Sequence, residues 1–323
     1  MTSLCDIDHT QTGAHDGRAW PRRGARRTGS AVYAVGVLLL LACPCRGLFA
    51  GEPAAVSLDR RRVQATHAGL YLCRAQLDDG RFVYAFNPLT GERGPGYNWL
   101  RHAGTLIALC QLHKATRIPK FRAAAQKGAQ ALLAQFREIE CEGKRFRVLV
   151  SDPKTIGSKR RSVAVKTGGG ALAVVALLHL DEMAGAQAHR ERVRELCAYI
   201  RHVQRDDGNI RSKLYVPGSR WSSFESNYYP GESLLALAAA QARYPSAANR
   251  RAMLRLLQYL ANGWWEVNET ARTLKKPAKT PLFDHWGMIG VSRALPLLRE
   301  ADVNAWEPAG RWSLAALRQT ALD

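Results

Sequence analysis

Gly168-Gly169-Gly170-Ala171-Leu172-Ala173-Val174-Val175-Ala176-Leu177-Leu178-His179-Leu180 runs without an Asp, Glu, Lys or Arg. The stretch is too long and too rich in Ala, Gly and Leu for a strand, so it predicts a helix with apolar neighbours on every side. Residues 99–112, 230–240 and 286–298 read the same way. Between them, residues 58–77, 120–137, 188–203 and 247–262 show a 3.6-residue period with one charged face, the pattern of half-buried helices. Alternation of wholly buried with half-buried helices predicts an all-α fold of two layers, an inner ring inside an outer one.

Asn98, Gly169, Pro230 and Asp284 mark comparable points before the four buried segments, at intervals of 71, 61 and 54 residues. The spacing is that of an irregular repeat of helical hairpins. Each buried segment is entered through turn formers and polar or aromatic residues: Gly94-Pro95-Gly96-Tyr97-Asn98, Lys166-Thr167-Gly168, Ser226-Asn227-Tyr228-Tyr229-Pro230-Gly231-Glu232 and Pro281-Leu282-Phe283-Asp284-His285-Trp286. Parallel inner helices would bring these loops to one end of the ring, and a pocket is expected there. Gln76-Leu77-Asp78-Asp79-Gly80 and Gln204-Arg205-Asp206-Asp207-Gly208 share a Gln-x-x-Asp-Gly core. In each, Asp-Gly suits the left-handed turn that closes a helix, and residues 81–86 and 209–216 then alternate like short strands.

The alternation and the Gln-x-x-Asp-Gly turns resemble the α/α-toroid folds, over residues 58–317. These folds include six-hairpin glycosidases, sugar and uronyl epimerases, and terpenoid and lanthipeptide cyclases. The resemblance implies an α/α toroid with short β-hairpin insertions. Four to five hairpins can be counted, so an incomplete ring is expected. It also places the chemistry at the N-terminal ends of the inner helices. The Asp-x-Asp-Asp motif of terpenoid cyclases is missing, and Cys110 and His113 are not spaced as the zinc ligands of lanthipeptide cyclases. The sugar-active branch needs carboxylates, a His or Tyr and an aromatic platform, and all stand in the entry loops. The implied function is an exported carbohydrate-active enzyme acting on a polysaccharide by acid–base chemistry, as hydrolase, lyase or epimerase. The alternative is a non-catalytic toroid that binds an envelope polymer or a protein.

The residues themselves leave each candidate with two readings. Glu232, just inside a helix begun by Pro230, suits a general acid or base, with Tyr229 supplying a phenolic proton or Tyr228 stacking on a sugar. It equally suits a first-turn carboxylate facing orphan N–H groups. Asp284 and His285 combine an acid with an imidazole that titrates near neutrality, beside Trp286; Asp284 is also a natural N-cap. Arg101 and His102 interrupt an apolar helix that starts at Tyr97 and Trp99. They suit either an anion-binding pocket, with Arg101 clamping a uronate, sulfate or phosphate, or a structural ion pair with Glu232. Lys166 opens a glycine-rich helix entry whose backbone N–H groups could meet an anion, although the order is not that of a phosphate loop. His179 reads as a core histidine.

Composition sets the outer bounds. Of 323 residues 46% are hydrophobic and 23% charged, which excludes a disordered chain. Lys and Arg number 47 against 27 acids, a formal +20 that favours anionic partners. The basic groups are dispersed and accompany no nucleic-acid-binding motif, so a carbohydrate or other anionic polymer is the expected partner, not a specific nucleic acid. The four cysteines beyond residue 50, Cys73, Cys110, Cys141 and Cys197, form no C-x-x-C pair, and no metal or cofactor is expected from their spacing. Residues 1–50 read as an export signal or membrane anchor preceding a toroid domain at 51–323. Arg22, Arg23, Arg26 and Arg27 precede an apolar run over 31–43, and Leu40-Leu41-Ala42-Cys43 is similar to a lipobox, so the protein is expected to be periplasmic or anchored, with Cys43 as a lipid-attachment candidate.

Overall fold

The computed structural model describes residues 58–158, 162–274, 284–299 and 302, and over 264–274 the backbone alone. The chain divides into two units, 1–56 and 57–323, and every described residue belongs to the second. Residues 1–50, expected to direct export or anchoring, with Cys43, and Phe283 lie outside the described residues. No helix among those described is long and apolar enough to cross a membrane.

Eight helices are described: α1 (Leu58–Arg74), α2 (Trp99–Thr116), α3 (Pro119–Leu133), α4 (Thr167–Ala184), α5 (Arg190–His202), α6 (Tyr229–Arg243), α7 (Ala247–Leu274) and α8 (His285–Ala294). In the inner layer α2 packs on α4, α4 on α6 and α6 on α8. The outer layer is α1, α3, α5 and α7, packed on α2, α4, α6 and α8. Four outer–inner hairpins in this order make an α/α toroid. Composition explains the layering. In α4 every residue from Thr167 to Leu177 is buried, and in α6 every residue from Tyr229 to Ala238. The outer α3 buries only Phe121, Ala124, Ala125, Gly128, Ala129 and Leu132, one face of the helix.

Two inner helices depart from burial on every side. On α2 Arg101 is exposed, and on α8 Ile289 is 41% exposed. They are the first and last of the inner row, so each has an inner-layer neighbour on one flank only among the described residues. Helix α8 also stops short of the expected 298: it ends at Ala294, and Pro296 falls in the 3-10 turn Leu295–Leu297 that follows.

Neighbouring inner helices meet start to start, which makes them parallel. Leu100 of α2 lies against Gly169 of α4, Gly168 against Tyr229 and Glu232 of α6, and Gly231 of α6 against Asp284 and Gly287 at the start of α8. The Gln-x-x-Asp-Gly turns recur with the same contacts in both places, offset by 128 residues. Gln76 Nε2 donates to the carbonyls of Gly80 and Ala124, and Gln204 Nε2 to those of Gly208 and Ala252. Gly80 and Gly208 have φ of 86° and 89°, and a Cβ on either would fall 2.5 or 2.4 Å from the backbone oxygen of Lys127 or Arg255. Gly208→Ala combines left-handed strain with a backbone clash. It is expected to destabilise the fold by at least ~1–3 kcal/mol, measured as a lower urea midpoint with unchanged slope.

Among the described residues, two small antiparallel sheets decorate the helix ends. β1 (Phe136–Cys141) and β2 (Lys144–Leu149) form a hairpin, and β3 (Val163–Lys166), β4 (Lys213–Val216) and β5 (Arg220–Trp221) form a sheet in that order. The expected helix at 120–137 therefore ends at Leu133, and Phe136 and Arg137 begin a strand. The alternation at 209–216 becomes β4, whereas 81–86 makes only the isolated bridges Gln76 to Phe82 and Phe86 to Arg93. Cys73, Cys110, Cys141 and Cys197 are all free thiols.

Candidate active site

Helix α6 opens Tyr229-Pro230-Gly231-Glu232, with Pro230 in the first turn, where its missing N–H costs nothing. Glu232 follows in that turn and is only 4% exposed. Its Oε2 is buried without a hydrogen-bond partner. Asp284, also 4% exposed, is the N-cap of α8: its Oδ1 accepts from Trp286 N and its Oδ2 from Gly287 N, both at 3.0 Å. The two carboxyls can approach because α6 and α8 cross through glycine. A Cβ on Gly231 would stand 2.3 Å from Asp284 Oδ2 and 2.4 Å from Gly287 N. On the other flank, a Cβ on Gly168 would stand 1.9 Å from Glu232 Oε2. Glycine at both positions leaves the space that the carboxyl of Glu232 occupies.

Burial sets the protonation of the pair. It pushes Glu232 up to about 8, and the negative charge of Asp284 adds to the rise. Asp284 is pushed up to about 6, again by burial, while the two backbone N–H groups of its cap pull it down. Asp284 therefore ionises first, and its charge helps to keep the proton on Glu232. Near neutral pH one carboxyl is an acid and the other a base, the division of labour that acid–base enzymes use.

Aromatic side chains lie at the starts of α6 and α8, and two lysines lie at the start of α4 and on β4. The Tyr229 ring packs against Gly168 and meets Phe224 edge-on at 6.3 Å. Tyr228 faces the exposed His285 at 6.4 Å between ring centroids, and His285 lies 4.9 Å from Trp286. Lys166 precedes α4 and pairs in register with Lys213 of β4. Lys213 is buried to 7% exposure with its Nζ 4.5 Å above the Phe224 ring. Ser226 N donates to Ser212 Oγ, and Thr167 Oγ1 to the Arg211 carbonyl, tying the α6 entry loop and the start of α4 to the strand that carries Lys213.

The candidates on α2 do not join this group. Tyr97, Trp99 and His102 instead form a cluster with Phe82, with Trp99 1% and His102 2% exposed. His102 Nε2 faces the Gly128 carbonyl at 2.9 Å, and a carbonyl only accepts, so Nε2 carries the hydrogen. Nδ1 then accepts from the Tyr97 hydroxyl at 2.6 Å, and the same hydroxyl accepts from Phe82 N. The polar atoms of Tyr97 and His102 are thus paired within the protein, as a structural role requires, while Trp99 Nε1 in the same cluster is buried without a partner. Arg101 is not a buried cation: it is exposed, with its guanidinium 5.0 Å above the Tyr84 ring. The cost of burying a charge, which had pointed to an anion clamp or a Glu232 ion pair, is absent.

Burial pushes His102 down to about 4 from 6.5. Because the unfolded chain takes up the proton first, this residue's contribution to stability is complete above pH 6.5 and is lost as pH falls through 4. Imidazole resonances followed by NMR are expected to show no titration of His102 between pH 5.5 and 8; a midpoint near 6.5 would refute the assignment. His179 is only partly buried and pairs with Glu182, its Nδ1 3.5 Å from Oε2, instead of being sealed in the core.

Lys213 and Phe224 were not singled out by the sequence. The alternation at 209–216 contained the signal for Lys213, since a lysine beside apolar Leu214 in a strand alternating inward and outward marks a face to be explained.

No family model and no curated protein matches the sequence. Among solved structures the chain is similar to an unsaturated glucuronyl hydrolase, UGL with dGlcA-Glc-Rha-Glc, at 16% identity over 64% of this chain and 57% of that one, with a TM-score of 0.48. It is also similar to endoglucanase Cel10 of Klebsiella pneumoniae, a family 8 glycosyl hydrolase, at 13% identity over 83% of this chain and 86% of that one, with a TM-score of 0.40. The chain thus spans little more than half the length of the first. The toroid itself is established by its helix order and shared helix starts.

Proposed function

We propose that the protein is an exported carbohydrate-active enzyme in which Glu232 and Asp284 carry out acid–base chemistry on a polysaccharide. The observation that carries this reading is the buried, unpartnered Oε2 of Glu232 beside a second buried carboxyl, at the end of the ring where the inner helices begin. A carboxyl without a partner in an apolar setting is costly, and proteins keep such groups where they have chemistry to do. Glu232 holds the proton and acts as the general acid toward a glycosidic or ring oxygen. Asp284, ionised and fixed by its cap, acts as the base. Tyr228, His285 and Trp286 provide the stacking surface for a sugar, and Lys166 and Lys213, linked through Phe224 to Tyr229 at the start of α6, favour an anionic one. Hydrolase, lyase and epimerase all use such a pair. Export rests on the basic segment and apolar run within 1–50, and cell fractionation with mass measurement of the mature chain tests it.

The 4% exposure of both carboxyls, together with the use of Asp284 as a cap, favours a second reading in which the toroid binds an envelope polymer without turning it over. One screen separates the two. Purified protein is incubated with uronate-containing and neutral glycans while reducing ends, unsaturated products and solvent-proton exchange are followed. Product that requires Glu232 supports the enzyme; binding without product in any channel supports the binder.

A further inference from the structure

Away from the inner-helix starts, the fold brings two adjacent donors together with a third that lies 60 residues further along the chain. Cys141 ends β1, Glu142 follows it in the two-residue turn to β2, and His202 is the last residue of α5. Cys141 Sγ, a Glu142 carboxylate oxygen and a His202 ring nitrogen all lie within 4.8 Å of one another. His202 Nε2 is buried and makes no hydrogen bond. It faces Glu142 Oε2 at 3.6 Å, too long for a hydrogen bond. Two ligands of one tetrahedral zinc, each at about 2.0–2.2 Å, stand about 3.4 Å apart, so that separation is close to what a shared ion imposes.

The surroundings hold each donor in place. Glu142 uses its other oxygen, Oε1, to accept from Trp221 Nε1 at 3.1 Å and to pair with Arg211, which leaves Oε2 aimed at His202. Partners of this kind on the far atom of a ligand are what orient metal-binding carboxylates. The His202 ring is packed against Phe146 at 4.8 Å. Glu142 sits at a φ of 48°, followed by Gly143 at 75°, so the turn places a long carboxylate where Asn or Gly is the usual choice. Cys141 is fully buried, and the Glu142 side chain is 45% exposed, so the cluster is closed on the protein side and open to water on the other.

We propose that Cys141, Glu142 and His202 bind a divalent cation of the zinc class, with water completing a tetrahedral set. A thiolate, an imidazole and a carboxylate match that ion's preferences and exclude magnesium and calcium. Coordination displaces the thiol proton of Cys141 to solvent.

The test uses metal-stripped full-length protein and zinc alone as the probe, read by calorimetry and by metal content after dialysis. One retained equivalent is expected, with His202→Gln or Glu142→Gln weakening uptake at least tenfold. Cobalt in place of zinc should give a thiolate-to-metal charge-transfer band in the near ultraviolet that Cys141→Ser removes. Glu142 is on the surface, so its variant keeps the test decisive if a change at buried Cys141 prevents folding. Retention below one equivalent, uptake unchanged in both the His202 and Glu142 variants, or a cobalt complex without the thiolate band would overturn the proposal.

Discussion

Glu232→Gln is expected to lower turnover roughly 10²- to 10⁴-fold, the usual contribution of a positioned general acid, while leaving the fold intact. Gln has nearly the shape of Glu, and Glu232 is already neutral near pH 7, so the substitution removes an acidic proton without creating a cavity or unpairing a charge. Circular dichroism at pH 7 should therefore match the parent and the denaturation midpoint should be no lower, whereas product formation on the responsive glycan should fall. A variant that retains full rate would remove Glu232 from the chemistry. Asp284→Asn provides the contrast. Asn is also a good N-cap, so α8 should survive, but the base is gone and turnover should fall by a comparable factor.

The second large effect is on stability. In the unfolded chain Glu232 ionises near 4.5, whereas in the fold it keeps its proton up to about 8. Between those values the folded state binds the extra proton, so stability from this residue falls as pH rises from 4.5 to about 8 and is constant beyond. Asp284 acts in the same direction between 3.8 and about 6. His102 acts in the opposite direction below 6.5, which masks part of the slope in the parent protein. Comparing parent with Glu232→Gln cancels the His102 contribution. The variant is expected to gain several kcal/mol relative to the parent between pH 5 and pH 9, read from urea midpoints at the two pH values. Parallel stability profiles would show that Glu232 is ionised in the fold at neutral pH.

The layered fold was legible because its signal is redundant. Four segments apolar on all sides alternate with four that are charged on one, and the paired Gln-x-x-Asp-Gly turns mark equivalent helix ends with identical hydrogen bonds. The β1–β2 hairpin was obscured because the amphipathic pattern of α3 runs on into Phe136-Arg137-Glu138-Ile139, whose apolar residues three apart still fit a helix, and only Glu142-Gly143 announces the turn. At the site, Glu232, Asp284, Tyr228, Tyr229, His285 and Trp286 do gather, because the parallel inner helices bring the starts of α6 and α8 together. Arg101 and His102 look alike as interruptions of an apolar helix. Position separates them: His102 shares a helical face with Trp99, Leu106 and Cys110, all buried, whereas Arg101 lies off it. The Cys141, Glu142 and His202 cluster was invisible in cysteine spacing, since its members come from a strand end, a turn and a helix end that only the fold joins.

The account depends on two carboxyls sharing one buried site, and carboxyl-carbon NMR of protein labelled at Glu and Asp measures that directly. It predicts two coupled titrations, near pH 6 and near pH 8, with the upper one lost in Glu232→Gln and moved down in Asp284→Asn. Two independent midpoints in the ordinary carboxylate range, each indifferent to loss of the other residue, would contradict it.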